Sequence, residues 1–383
     1  MSRSKMSTST SREPHSKMTF SAAWSTTVRS VALWALLVLA LYTVASSQNT
    51  AAPGYHTGVK DRKAAGCLTD CTPRFGIVSA FGNEAELLVA QTAHRQEYRI
   101  NGNVFTTGVL EGNAVVIVLT GQSIENASMI TQLLIDHFKI HHLLLSGIAG
   151  GLSDANHIGD VVVPEKWALP LEGYWNGSSQ VPAPCGKAGD LTCLGEKLSR
   201  YTSASNSDYQ INTPAGSTGT GLFMRDTFVI TSANAPQGEF KFDFAVDPGM
   251  LAVARSIKPE LDRCGPKNSS LCVSSQPRLI VGGRGVTIST FLANSNYRDY
   301  LSQKLAAVSV DMETAAFAHV AYANGIPFLA FRALSDQAGV TDYKEVGIFF
   351  GSGLAEVNES RVTLAFLRAW SKAHPNGMPH TSH

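Results

Sequence analysis

The sequence predicts an α/β layered domain with a largely parallel or mixed central sheet. Short apolar runs of strand type alternate with helical periodicities over much of the chain. Apolar residues make up 44% of the 383 residues, and 33 Gly and 16 Pro are dispersed, the profile of an ordinary globular protein. Polar residues also follow directly after several strands, which is where ligands gather in such sheets.

Taken in order, Gln48 to Pro73 is small and polar and reads as a linker tied by one short disulfide loop, with the domain running over 74–375 and a tail over 376–383. Phe75 to Phe81 is a strand. Ala85, Leu88, Val89 and Thr92 then mark a helix, with Asn83 as its cap and Glu86 completing a capping box. Asn103 to Leu110 and Ala114 to Thr120 form two strands around a turn at Gly112 and Asn113. A helix spans Ile124 to His137, and the buried strand His142 to Ser146 leads into a Gly-rich loop, Ser146 to Gly151. Asp160 to Val163 is another strand. The stretch near 170–277, crowded with Ser, Gly, Pro and Asn, reads largely as surface excursions, although Leu222 to Ile230 has strand character. Alternation resumes with the strand Leu279 to Thr287 and helices over Tyr297 to Ala306 and Met312 to Asn324. The strand Phe328 to Leu334 and a helix from Leu354 to Trp370 complete it. In the Met312 helix, positions 312, 315, 316, 320 and 323 are expected to face the core.

A balance of 31 Lys plus Arg against 30 Asp plus Glu argues against nucleic acid as the main partner. Val31 to Val44 is uncharged, follows Arg29, and is too short for a confident membrane span. Ala45 and Ser47 then suit signal cleavage near Gln48, so residues 1–47 are expected to be a signal peptide and the mature protein secreted. The long polar stretch ahead of the apolar run keeps a signal anchor open, and translation from Met18 would shorten that stretch. Six cysteines, Cys67, Cys71, Cys185, Cys193, Cys264 and Cys272, suit an oxidising compartment, with their pairing undetermined. Sequons at Asn126, Asn176, Asn268 and Asn358 agree with export.

Asp336 ends a run that is apolar except for Arg332. Its carboxyl is therefore expected at the rim of the core, where burial raises a carboxyl pKa and favours a proton donor. The alternatives are a structural ion pair with Arg332 or a cap. Glu84 falls in a first helical turn, where the dipole favours an ionised carboxylate able to act as a base for water. Glu313 begins the Met312 helix as a third carboxyl. SGIAGG, from Ser146 to Gly151, lacks the Walker lysine and does not match GxGxxG; it could cradle an anion or let the backbone approach a ligand. No GxSxG elbow or HExxH zinc pattern is present, and no cofactor or metal is expected.

VDMETAAFAHVAYANGIPFLAFRALSD, from Val310 to Asp336, resembles the signature of the nucleoside phosphorylase superfamily, especially methylthioadenosine/S-adenosylhomocysteine nucleosidases and plant bark and vegetative storage proteins. GIVSAFGNEAELL from Gly76, SGIAGGL from Ser146 and GDVVVP from Gly159 resemble further family segments in order. The resemblance implies a three-layer α/β/α fold and cleavage of a purine N-ribosidic bond through an oxocarbenium-like transition state. It makes Asp336 the acid that protonates purine N7, with Ser335 its companion, and Glu84 the carboxylate positioning water. It makes Glu313 the grip on the ribose hydroxyls, places Met312 under the sugar, and puts Phe291 near the base. Gly147, Ile148 and Ala149 belong to the substrate-binding segment.

Leu145 stands where bacterial-type phosphorylases carry an Arg, so water is the expected nucleophile. Phosphate is the alternative, with charge supplied by Arg95, Arg99 or a neighbouring subunit. A catalytically idle storage protein is the third reading. Gln122 replaces an apolar residue near the 5′-thioalkyl group and suggests a more polar 5′ end. By analogy, a homo-oligomer is expected.

Overall fold

The computed structural model describes residues 67–170, 226–339 and 351–375 in full, and the backbone alone at 173–176, 200–201 and 221–225. The apolar run Val31 to Val44, Cys185, Cys193, the side chain of Asn176 and the tail lie outside the described residues.

Twelve strands form one mixed sheet. They are β1 (Asp70–Ser79), β2 (Ala93–Ile100), β3 (Asn103–Leu110), β4 (Asn113–Leu119), β5 (Phe138–Gly151), β6 (Val161–Val163), β7 (Lys166–Ala168), β8 (Asp243–Ala245), β9 (Leu279–Val281), β10 (Arg284–Thr287), β11 (Ala307–Asp311) and β12 (Phe328–Asp336). The main path runs β8-β7-β10-β11-β5-β1-β4-β3-β2, with β12 paired to β5 and β6, and β6 to β9. β5 runs parallel to β1 and β12, while β2, β3 and β4 form an antiparallel meander at one edge.

Among the described residues, six helices accompany the sheet: α1 (Gly82–Gln91), α2 (Ile124–His137), α3 (Pro248–Ser256), α4 (Ser295–Leu305), α5 (Thr314–Ala323) and α6 (Leu354–Ala373). α1 packs on α6, and α2 on α5; each pair also contacts β5, giving the α/β/α layering. The core joins Phe75, Ile77, Leu143 and Leu144 of the central strands to Leu88, Leu134, Phe317 and Phe366 of these helices. No described helix is long and apolar enough to cross a membrane.

Several local expectations change. β1 begins at Asp70, whose carboxylate accepts from Arg74 at 2.7 Å, so the ordered domain starts ahead of Arg74. Asn83 lies inside α1; Phe81 is the N-cap, and Glu84 rather than Glu86 reaches back to the backbone N–H there. The Gly-rich segment is the last part of β5, because it pairs with β12 as far as Gly150 and then with β11. α5 buries Thr314, Ala315, Phe317, Ala318 and Ala321, whereas Ala323 is exposed and Val320 half-buried. Gly282 and Gly283, both at positive φ, break the expected strand at Leu279 to Thr287 into two. Within the supposed excursions, β8 joins the sheet and α3 buries Met250, Leu251 and Ala254 in the core. Disulfides link Cys67 to Cys71 and Cys264 to Cys272. Asn358 is fully buried and donates to the carbonyls of Gly159 and Asp262 at 3.0 Å, so it is no glycan acceptor in the folded protein.

Candidate active site

The ends of three neighbouring strands and one helix start converge because β5 pairs with both partners at its carboxyl end. Val310 of β11 lies opposite Gly150, and Asp336 of β12 also pairs with Gly150. β1 ends alongside and passes directly into α1, which carries Glu84 in its first turn. The result is a cleft lined by these strand ends and the start of α1.

Nine of the ten candidate residues line this cleft: Glu84, Gln122, Ile148, Ala149, Phe291, Met312, Glu313, Ser335 and Asp336. Gly147 does not. It lies behind the wall, where an added Cβ would fall 2.6 Å from Oε1 of Glu84 and closer still to the Arg332 guanidinium. Its role is to leave room for that contact.

Arg332 is fully buried and organises the acidic side. Its Nε lies 2.8 Å from Oδ2 of Asp311, one terminal nitrogen 3.0 Å from Oε2 of Glu313, and the other 3.7 Å from Oε1 of Glu84. It also donates to Ile148 O at 3.1 Å and Thr314 Oγ1 at 3.0 Å. The ion pair considered between Arg332 and Asp336 is therefore not made; the guanidinium serves the other three carboxylates. Asp311, which sequence reasoning passed over, also lines the cleft and is fastened by Thr287 Oγ1 at 2.5 Å and by the backbone N–H of Thr314 at 3.2 Å. A carboxyl two residues before Glu313, at the end of a short strand, was the available signal.

Glu84 accepts from Ala80 N–H at 2.6 Å and Ile148 N–H at 2.9 Å. Burial nevertheless raises its pKa to about 7, against the lowering effect of Arg332 and with a further push from Glu313. The helix-dipole expectation of an ordinarily ionised carboxylate gives way to this desolvation. Glu313 accepts from Ser123 N–H at 2.9 Å, and burial raises its pKa while Arg332 opposes the rise. Asp336 accepts from Ala338 N–H at 2.7 Å and from Ser335 Oγ at 2.9 Å, and burial raises its pKa despite both bonds. Ser335 Oγ also approaches Ala149 O at 3.3 Å, locking the end of β12 to β5.

Phe291 and Gln122 stand at the exposed rim, and Met312 is half-buried on the floor. The described lining contains four carboxyls and no Lys or Arg. Leu145 is buried in the core, Arg95 is exposed and bonded to Val89 O, and Arg99 lies on the β2 edge; none of them borders the cleft.

The chain that folds into these α/β/α layers, with carboxyls gathered at its strand ends, matches the model of the Phosphorylase superfamily. The match spans residues 74–367, and the chain belongs to that family. Its relatives include bark storage protein A of Populus deltoides, 24% identical over 63% of this chain and 71% of the relative. The 5'-methylthioadenosine/S-adenosylhomocysteine nucleosidase of Listeria welshimeri is 26% identical over 69% of this chain and 86% of the relative. Among solved structures, the corresponding nucleosidase from S. pneumoniae with a transition-state inhibitor superposes with a TM-score of 0.52 at 24% identity, covering 78% of this chain and all of that one. That likeness shows the shared fold.

Proposed function

We propose that the protein cleaves the N-glycosidic bond of purine nucleosides of the adenosine type, with water as the nucleophile. The observation that carries this reading is the meeting of Glu84, Glu313 and Asp336 around one cleft. Asp336, buried and inclined to hold its proton, donates to purine N7 as the C1′–N9 bond breaks. Glu84 orients water against C1′ and accepts its proton, and Glu313 holds the ribose hydroxyls. Free base and ribose result.

A developing ribosyl cation is stabilised by an acidic lining. A phosphate nucleophile would be repelled by the same carboxyls, with no cation in the described lining to receive it. Gln122 at the rim favours a polar 5′ end, so adenosine and N6-modified ribosides stand beside thioethers as substrates.

The test is release of free base from adenosine and from 5′-thioether nucleosides, with and without phosphate. Release independent of phosphate is expected. Dependence on phosphate would make the protein a phosphorylase, and no release from any nucleoside would leave a storage role, the reading suggested by its likeness to the bark storage proteins.

Export is part of this proposal, supported by disulfides at Cys67–Cys71 and Cys264–Cys272, which persist in oxidising compartments. N-terminal sequencing of protein from the culture medium distinguishes a cleaved signal from an anchor. Homo-oligomer formation is proposed by family analogy and is read by light scattering.

A further inference from the structure

One turn of α6 is polar where it meets β5. Asn358, Glu359, Ser360 and Thr363 are all fully buried, although burying such groups is costly unless each finds a partner. Glu359 has partners but no adjacent cation. Its carboxyl meets Ser146 Oγ, and its other oxygen accepts from Ser360 Oγ at 3.0 Å. Ser146 Oγ lies 2.7 Å from Thr363 Oγ1, and its carbonyl accepts from Ser79 Oγ at 2.7 Å.

This cluster stands directly behind Glu84. Ser146 is two residues before Ile148, whose N–H binds the Glu84 carboxylate, and Ser360 Oγ lies 3.3 Å from the Glu84 carbonyl oxygen. α6 therefore ties both the segment that aims at Glu84 and the backbone that carries it.

We propose that Glu359 is a positioning residue for the cleft: bonded to Ser146 from α6, it fixes the β5 segment that orients Glu84. The inference rests on the functional reading above for its kinetic consequence alone. Burial raises the Glu359 carboxyl well above the usual range, the Ser146 contact opposes this, and the charge of Glu84 on α1 raises it further. Ser360 and the charge of Arg332 on β12 pull it down. A neutral carboxyl can donate to Ser146 Oγ, so the cluster is satisfied without a second buried anion.

Infrared difference spectroscopy and kinetics on the full chain test the proposal. Above the ordinary carboxyl range, wild type is expected to keep a protonated-carboxyl C=O band that is missing from Glu359→Gln. Glu359→Gln, neutral and of similar shape, keeps kcat/KM and its acid limb. Glu359→Ala admits water behind Glu84, moves the acid limb to lower pH, and lowers kcat roughly tenfold, the scale of one lost buried hydrogen bond.

Any of three results overturns it: the same band in Glu359→Gln as in wild type, an acid limb displaced by Glu359→Gln, or wild-type rate and limb in a folded Glu359→Ala. Failure of wild type to cleave any nucleoside would strike the functional reading instead, and the infrared band would still decide whether Glu359 is neutral.

Discussion

Burial raises the pKa of both Glu84 and Asp336, but the two carboxyls are held by different partners. Glu84 sits among backbone donors near Arg332, whereas Asp336 has a hydroxyl and an N–H but no cation. Replacing Asp336 by Asn removes the proton and should lower kcat by about 10²–10⁴-fold with little change in KM, measured by base release. Glu84 must be ionised to accept a proton from water, and it loses its own proton only as pH rises through about 7. The kcat/KM profile should therefore climb through that pH; an acid limb near the ordinary value of 4.5 would remove Glu84 from the role of base. The positions of Glu84 and Asp336 after strand-like runs, and of Glu313 at a helix start, were legible in the sequence. The hub was less so, because a lone Arg332 in an apolar run does not reveal which of several distant acids it will meet.

At the scale of elements, legibility followed hydrophobic periodicity. The helix from Ile124 to His137 has clear apolar spacing and forms with those bounds, and Asn103 to Leu110 forms as a strand. β2 escaped notice because AHRQEYRI, on the sheet edge, is largely exposed and has no apolar face to announce it. β11 is short, and α3 is embedded in a stretch dominated by turn-forming residues. Reading Ser146 to Gly151 as a loop failed for a related reason: glycine suggests a turn locally, while here it serves close approach within a strand. Gly147→Ala should cost about 1–3 kcal/mol in urea unfolding, because the Arg332 guanidinium and the Glu84 carboxyl, both held by hydrogen bonds, would have to shift, and should depress activity with it. Unchanged stability would show that the wall yields.

For the molecule as a whole, the buried acids set an unusual pH response. Glu84, Glu313, Asp336, Glu356 and Glu359 all have raised pKa values, chiefly from burial. The folded state thus binds protons more tightly than the unfolded chain, and the stability these groups contribute at low pH is lost as pH rises through their folded values. For Glu84 the window runs from its ordinary 4.5 to about 7, a loss on the order of 3 kcal/mol. Asp70 and Glu239 are shifted down and act the other way from near the surface, and the buried His141 and His142, held down to about 3 and about 4, and His319, also lowered, cost stability below their ordinary 6.5. Above the histidine range, melting temperature should rise as pH falls from about 8 to about 7; the reverse order would mean that these acids are better solvated than their burial implies.

β5 is both the spine of the sheet and the back wall of the cleft, pairing with β1, β12 and β11 along its length. Variation in chemistry among descendants of this chain is consequently confined to the periphery. A residue such as Gln122 or Phe291 can be exchanged to admit a new nucleoside, while any redesign of the wall would have to renegotiate the whole scaffold at once.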